Sequence, residues 1–118
     1  MGYWAVDFDG TICGNNDLPI TSDEFLTPFA IVTALLNEGC EVRILTARVS
    51  SNLPTEEINK ERLYIEAWTQ KYLGETLIVT SEKTYDMIAL IDDRAVACEH
   101  HTGRLLGGHS VFNWLFQK

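Results

Sequence analysis

The stretch of sequence that decides the fold is YWAVDFDGT, residues 3–11, an apolar run that ends abruptly in two acids. Such a run indicates a buried β-strand that reaches one edge of its sheet. Residues two apart in an extended segment face the same side, so Asp7 and Asp9 are expected to share a pocket while Phe8 turns into the core. In α/β proteins this edge is where phosphate groups bind. An isolated motif of this kind also fits an acidic surface turn.

Length and composition set the limits within which this motif acts. A chain of 118 residues fits one catalytic domain over residues 1–118 and leaves no room for a separate cap domain. The formal net charge of −8 is unfavourable for a non-specific binder of polyanions. The three cysteines are scattered along the chain, which predicts free thiols. The beginning of the sequence does not resemble a secretory signal and no apolar run is long enough to span a membrane, so the expected location is the cytoplasm.

Strand and helix patterns alternate along the chain. Four strands are predicted, at residues 3–8, 41–45, 77–80 and 87–91. One helix is predicted from Thr27 as its N-cap to Gly39, and a second one at residues 56–73. This alternation predicts an α/β fold with a mostly parallel central sheet, in which the carboxyl ends of all strands lie along one edge.

Other segments carry weaker signals. Residues 14–24 are polar and indicate a loop that acts as a flap over the edge of the sheet. The last predicted strand, 87–91, is apolar throughout, which favours burial on both faces. Residues 99–108 are typical of a turn or hairpin, and Ser110 is the candidate N-cap of a final helix.

Polar residues follow three of the four predicted strands. Asp7 and Asp9 follow the first, Thr46 the second, and Asp92 and Asp93 the last. Carboxylates crowded at one edge repel one another unless a cation lies between them. Because these candidate ligands are all oxygen atoms, the expected ion is Mg²⁺.

The motifs together resemble those of a known family. DFDGT at residues 7–11, ILTAR at 44–48, Lys83, and LIDDRA at 90–95 are similar, in this order, to the four signature motifs of the haloacid dehalogenase (HAD) superfamily. The resemblance covers about residues 3–96. It implies a Rossmann-like three-layer α/β sandwich. The short intervals after the first two motifs imply a member without a cap domain.

The resemblance also implies roles for individual residues. Asp7 would be the nucleophile that forms an aspartyl-phosphate, and Asp9 the general acid and base. Thr46 and Lys83 would bind the phosphoryl group. Mg²⁺ would be held by the carboxylates of Asp7 and Asp92 and by the backbone carbonyl of Asp9. Asp93 would bind the ion through water or orient the ligands.

These roles predict a phosphatase acting on a phosphate monoester. The substrate stays open between a sugar phosphate, a nucleotide and the phosphorylated end of a macromolecule, and a second copy of the chain is a candidate cover for the open site. A phosphotransferase and a non-catalytic phosphate-binding or regulatory module are the alternatives. Arg48 and Arg94 fit either substrate binding or ion pairs with nearby acids, whereas His100 and His101 indicate an exposed turn rather than a metal site.

Overall fold

The computed structural model describes residues 2–106 of the chain. It is an α/β fold in which four strands form a single all-parallel sheet in the order β3-β2-β1-β4. The strands are β1 Tyr3–Val6, β2 Glu41–Leu45, β3 Ile78–Thr80 and β4 Met87–Ile91. The parallel sheet predicted from the alternation of strands and helices is thereby confirmed.

The position of β1 inside the sheet determines where the polar motifs meet. This strand pairs with β2 on one side and with β4 on the other. Val6, its last residue, is aligned with Ile44 of β2 and Ile91 of β4. The segments that follow the three strands therefore leave the sheet side by side.

Two helices connect the first three strands, α1 at Pro28–Asn37 and α2 at Thr55–Leu73. Thr27 is the N-cap of α1 as predicted, since its Oγ1 accepts a hydrogen bond of 3.2 Å from the backbone N–H of Ala30. The second helix is followed by Gly74, the predicted terminator.

Both helices pack against the same face of the sheet. Val42 and Ile44 of β2 share one core cluster with Val32 of α1 and Ile65 of α2. Of the residues that the structure describes, none forms a helix on the opposite face. The helix predicted after Ser110, which would supply a third layer, lies outside the described residues.

The prediction that residues 87–91 are buried on both faces is wrong. Within the described part of the chain β4 is an edge strand, and Ile88 is 54% exposed. Burial of a strand's side chains depends on the elements that pack against its two faces, and the face that carries Ile88 is left partly open to solvent. A short apolar run alone does not distinguish an edge strand from a central one.

A small hairpin follows the sheet. Its strands are β5 Ala97–Cys98 and β6 Leu105–Leu106, which pair antiparallel. The turn or hairpin predicted at residues 99–108 therefore corresponds to a hairpin at residues 97–106. No helix in the described part of the chain combines the length and apolarity that crossing a membrane requires.

Candidate functional site

A tight turn after β1 places the first two acids at the edge of the sheet. The carbonyl of Phe8 accepts hydrogen bonds from the backbone N–H groups of Ile12 and Cys13, at 3.2 and 3.0 Å. The Phe8 side chain is fully buried, as the alternation of residues had predicted. The backbone N–H of Asp7 donates to the carbonyl of Ile91 at 2.9 Å, which joins this turn to the end of β4.

Three carboxylates converge where β1 and β4 end. Asp7, Asp92 and Asp93 each place one carboxylate oxygen so that all three atoms lie within 4.8 Å of one another. Across residues 2–106, no other set of three candidate metal ligands comes together in this way. Asp9 is not part of this cluster, although it lines the same cavity as Asp7.

The hydroxyl of Thr11 connects these carboxylates. Thr11 is 4% exposed, and its Oγ1 lies 3.1 Å from both Asp7 Oδ2 and Asp93 Oδ1. It also accepts a hydrogen bond of 3.1 Å from the backbone N–H of Asp93. Since a hydroxyl has one proton to donate, it serves one carboxylate at a time. Thr11 therefore fixes the turn after β1 to the segment after β4.

The pKa values of two of these acids move in opposite directions. Burial raises the pKa of Asp7 to about 6, and the charges of Asp92 and Asp93 add to this effect, while the hydrogen bond from Thr11 opposes it. The same hydroxyl lowers the pKa of Asp93. A cation between the carboxylates would relieve the repulsion that acts on Asp7. Three carboxylate oxygens within this distance are a donor set that suits Mg²⁺.

The other acid of the first motif forms an ion pair. Arg48 donates to Asp9 through two nitrogens, with Nη2–Oδ1 and Nε–Oδ2 distances of 2.6 and 2.8 Å. Its third nitrogen, Nη1, lies 3.2 Å from Glu61 of α2. This two-point contact orients the Asp9 carboxylate and keeps its charge compensated.

Thr46 directly follows β2, the strand beside β1. Its backbone N–H donates to the carbonyl of Thr80 at 2.8 Å, and its Oγ1 accepts from the backbone N–H of Arg48 at 3.2 Å. Its hydroxyl proton remains available for a ligand. The residue is 4% exposed, so the hydroxyl is held in place by its surroundings.

These side chains enclose a cavity of about 290 Å³. Its lining carries both charges, from three carboxylates and two guanidinium groups. The lining residues are Asp7, Asp9, Thr46, Ala47, Arg48, Asp92 and Arg94. A cavity with this lining suits an anion bound together with a cation.

Of the four predicted catalytic residues, only Lys83 does not line this cavity. It is exposed and is not among the residues that line the cavity. The hydroxyl of its neighbour Thr84 lies 2.8 Å from the phenol oxygen of Tyr3. Tyr3 begins β1, whereas Asp7 follows its end. Thr84, the neighbour of Lys83, therefore contacts the end of β1 that is opposite to Asp7.

Sequence reasoning did not identify Thr11 as a site residue and left the role of Arg48 open. The position of Thr11 four residues after Asp7, in a turn opened by a glycine, was the available signal. For Arg48 no local signal exists, because Asp9 is 39 residues away. Arg94 lines the cavity, and its backbone N–H donates to Asp92 at 3.1 Å.

Comparisons with protein-family models, curated proteins and solved structures give no match for this chain.

Proposed function

We propose that the chain is a Mg²⁺-dependent phosphatase of the HAD type that hydrolyses a phosphate monoester. The observation that carries the proposal is the convergence of Asp7, Asp92 and Asp93 within 4.8 Å beside a cavity with arginines in its wall. A four-stranded parallel sheet with β1 inside it supports a Rossmann-like classification. The motif resemblance supplies the residue roles.

In the first step, a carboxylate oxygen of Asp7 attacks the phosphorus atom and the bond from phosphorus to the ester oxygen breaks. The departing oxygen leaves as an alcohol by taking a proton from Asp9, which must carry that proton at this step. Arg48 therefore has to release at least one Asp9 oxygen before the bond breaks. Asp7 acts as a nucleophile in its ionised form, and a cation bound beside it would favour that form by opposing the effect of burial on its pKa. Bound Mg²⁺ would neutralise charge on the phosphate and lower the repulsion between the two anions.

In the second step, water attacks the phosphorus atom of the aspartyl-phosphate and its proton passes to Asp9. Inorganic phosphate leaves and the Asp7 carboxylate is restored. Asp9 receives a proton only if Arg48 releases at least one of its two oxygens. Arg48 therefore has to move slightly, and its guanidinium group can then bind the substrate phosphate.

The phosphoryl oxygens would be bound by the hydroxyl of Thr46 and by the arginines of the cavity wall. The motif resemblance assigns a similar role to Lys83. The cavity is open on one side, so the proposal extends to a large phosphorylated substrate or to a second copy of the chain as its cover.

The test is phosphate release from an aryl phosphate and from a panel of sugar phosphates, nucleotides and phosphorylated oligonucleotides. Each assay is run with Mg²⁺ and with EDTA. We expect release that requires the metal and falls at least 1,000-fold, roughly, in Asp7→Asn. Asp23→Asn makes the same change of charge at an exposed position and should retain activity.

Three other outcomes would contradict the proposal. A single phosphorylation event without turnover indicates a phosphate-accepting regulatory module. Phosphate transfer to an added alcohol, with no release into water, indicates a phosphotransferase. Equal activity of the wild type and Asp7→Asn would exclude Asp7 as the nucleophile.

A further inference from the structure

A second cavity, of about 330 Å³, lies against α2 and the turn at residues 15–17. Of the described residues, none lines both this cavity and the one beside Asp7. Its lining includes Asn16, Asp17, Tyr64, Trp68, Lys71 and Tyr72. The volume is at the lower end of the range for ligand pockets, roughly 300 to 1,000 Å³, which favours a small ligand. The proposed phosphatase mechanism does not use this space.

Three of the lining residues are aromatic and follow one another along α2 at intervals of four. Tyr64, Trp68 and Tyr72 therefore lie on one face of the helix. Trp68 is 5% exposed, whereas Tyr64 is 40% exposed and Tyr72 is half-buried. The centres of the Trp68 and Tyr72 rings are 5.0 Å apart, and their planes are tilted by 54°. The tyrosines thus retain ring surface against which a planar ligand can pack.

The shape of the cavity is set by contacts within the protein. Trp68 packs edge-to-face against the buried Phe8, with 5.1 Å between the ring centres. Its indole N–H donates to the carbonyl of Asp17 at 2.7 Å and joins the turn to α2. Asn16 and Asp17 have φ angles of 59° and 57°, which non-glycine residues seldom adopt and which are enriched at ligand-binding sites. A cavity fixed in this way loses little conformational freedom when a ligand enters.

The charged groups of the lining are one ammonium and one carboxylate. Lys71 is exposed, and within residues 2–106 it forms no ion pair with a carboxylate. The carboxylate of Asp17 accepts a hydrogen bond from Tyr64, which raises the pKa of Tyr64 to about 12. A carboxylate has about four acceptor positions, so this bond leaves room for a further donor. The balanced lining disfavours a polyanion and suits a ligand with one charge of each sign.

We propose that this cavity binds a zwitterionic ligand with an aromatic ring, which is the chemistry of an aromatic α-amino acid. The ring of the ligand packs against Trp68 and Tyr72. Its carboxylate pairs with Lys71, and its ammonium group pairs with Asp17. A ligand with a single charge would leave one of these two groups unpaired beside the aromatic rings.

The test measures binding alone, so its result does not depend on the proposed phosphatase function. The full isotope-labelled chain is titrated with L-phenylalanine at neutral pH, and the NMR resonance of the Trp68 indole N–H is followed. Trp68→Phe identifies this resonance by its disappearance. We expect a saturable shift with a Kd on the order of 1 mM, as suits a ligand of about a dozen heavy atoms.

Three analogues of L-phenylalanine each lack one of the recognised features. Phenethylamine has no carboxylate, phenylpropionate has no ammonium group, and glycine has no ring. Each should bind at least about 10-fold more weakly than L-phenylalanine, because one charged contact or the ring contact is lost.

Matched variants locate the two charged contacts. Lys71→Gln should weaken the binding of L-phenylalanine about 10-fold but not weaken that of phenethylamine. Asp17→Asn should weaken it by a similar factor but not weaken the binding of phenylpropionate, and asparagine tolerates a positive φ, so the turn is retained. Lys60→Gln removes a positive charge from α2 outside this cavity and should have no effect.

Absence of a shift at about 10 mM L-phenylalanine would overturn the inference. Glycine binding as tightly as L-phenylalanine would exclude recognition of the ring, and equal binding of phenethylamine or phenylpropionate would exclude recognition of a zwitterion. Either result overturns the proposed ligand class. Equal losses in Lys60→Gln and Lys71→Gln would contradict the location of the site. Binding that requires the ring, Lys71 and Asp17 supports the inference, whether or not the chain releases phosphate from any substrate.

Discussion

Two arginine clusters, one at the candidate site and one in the hairpin, have similar chemistry and different surroundings. Arg48 contacts Asp9 and Glu61, which lie 39 and 13 residues away in the sequence. Arg104 contacts Glu99, which is only five residues away. The side chain of Arg48 is 32% exposed and that of Arg104 is 69% exposed.

The comparison shows that the structural role of an arginine–carboxylate ion pair depends on the segments it joins and not on the residue types alone. The Arg48 cluster joins the ends of β1 and β2 to α2, so it fixes segments that are distant in the sequence. The hairpin cluster stabilises one exposed turn, where such a pair contributes little to the free energy of unfolding. Function is expected at the first cluster and not at the second.

The largest difference between the two clusters is expected when their arginines are replaced by alanine. We expect Arg48→Ala to lower kcat/KM for phosphate release about 100-fold, because Asp9 loses its orientation and the cavity loses a cation. Arg104→Ala should change kcat/KM less than about 2-fold. Steady-state kinetics with Mg²⁺ measures both. A similar loss in the two variants would mean that the Arg48 cluster has no special role.

Two glycines with similar backbone angles provide the next comparison. Gly10 in the site and Gly103 in the hairpin have φ angles of 77° and 74°. A Cβ atom on Gly10 would lie 2.9 Å from Asp93 Oδ2, whereas one on Gly103 would meet no atom within 4 Å. Gly10→Ala should therefore lower the free energy of unfolding by about 2 to 3 kcal/mol, and Gly103→Ala by about 1 kcal/mol.

Urea unfolding, followed by circular dichroism, compares the two alanine variants. If Gly103→Ala is the more destabilising one, the packing of Gly10 against Asp93 is not as described.

Two threonines, one at the candidate site and one in the hairpin, allow the same comparison with a smaller change of side chain. Thr11→Val keeps the shape of a buried side chain but leaves Asp7 and Asp93 without its hydroxyl, which should cost about 1 to 2 kcal/mol of unfolding free energy. Thr102 contacts Glu99 at the exposed surface of the hairpin, so Thr102→Val should cost less than about 0.5 kcal/mol. The same urea experiment measures both, and equal effects would contradict the role of Thr11.

The last comparison concerns the pH dependence of stability. The pKa of Asp7 is raised from 3.8 to about 6, so the folded state retains its proton longer and loses stability as pH rises through this interval. Hydrogen bonds from Thr102 and Arg104 lower the pKa of Glu99, so that group contributes stability above its unfolded value, which is lost as pH falls.

Urea unfolding in EDTA between about pH 4 and pH 7 tests these signs. Asp7→Asn should remove a decrease in stability with rising pH, and Glu99→Gln should remove an increase at the acidic end of the range. Parallel pH profiles for the wild type and Asp7→Asn would show that Asp7 titrates in the folded state as it does in the unfolded state.

Local sequence patterns predicted most of the helices and strands. They did not predict contacts between residues that are distant in the sequence. Thr27 and Gly74 bound their helices as expected, because caps and terminators act within a few residues. The position of β4 at the edge of the sheet, as far as residues 2–106 form it, depends on strand order, which an apolar run does not encode.

The site was predictable to a similar extent. The convergence of Asp7 and Asp92 follows from parallel strands that end at one edge of the sheet. The ion pair of Arg48 with Asp9 depends on the path of the loop after β2, and sequence alone does not specify that path. Lys83 has the position in the order of motifs that the resemblance requires, but it does not line the cavity.

The most direct test of the central claim is a search for the phosphorylated enzyme. Wild-type chain is mixed with Mg²⁺ and its best substrate, quenched in acid within one turnover, digested and examined by mass spectrometry. We predict one phosphoryl group on Asp7, absent when EDTA replaces Mg²⁺. Turnover with no phosphoryl group on Asp7, or with the group on another residue, would contradict the proposed mechanism.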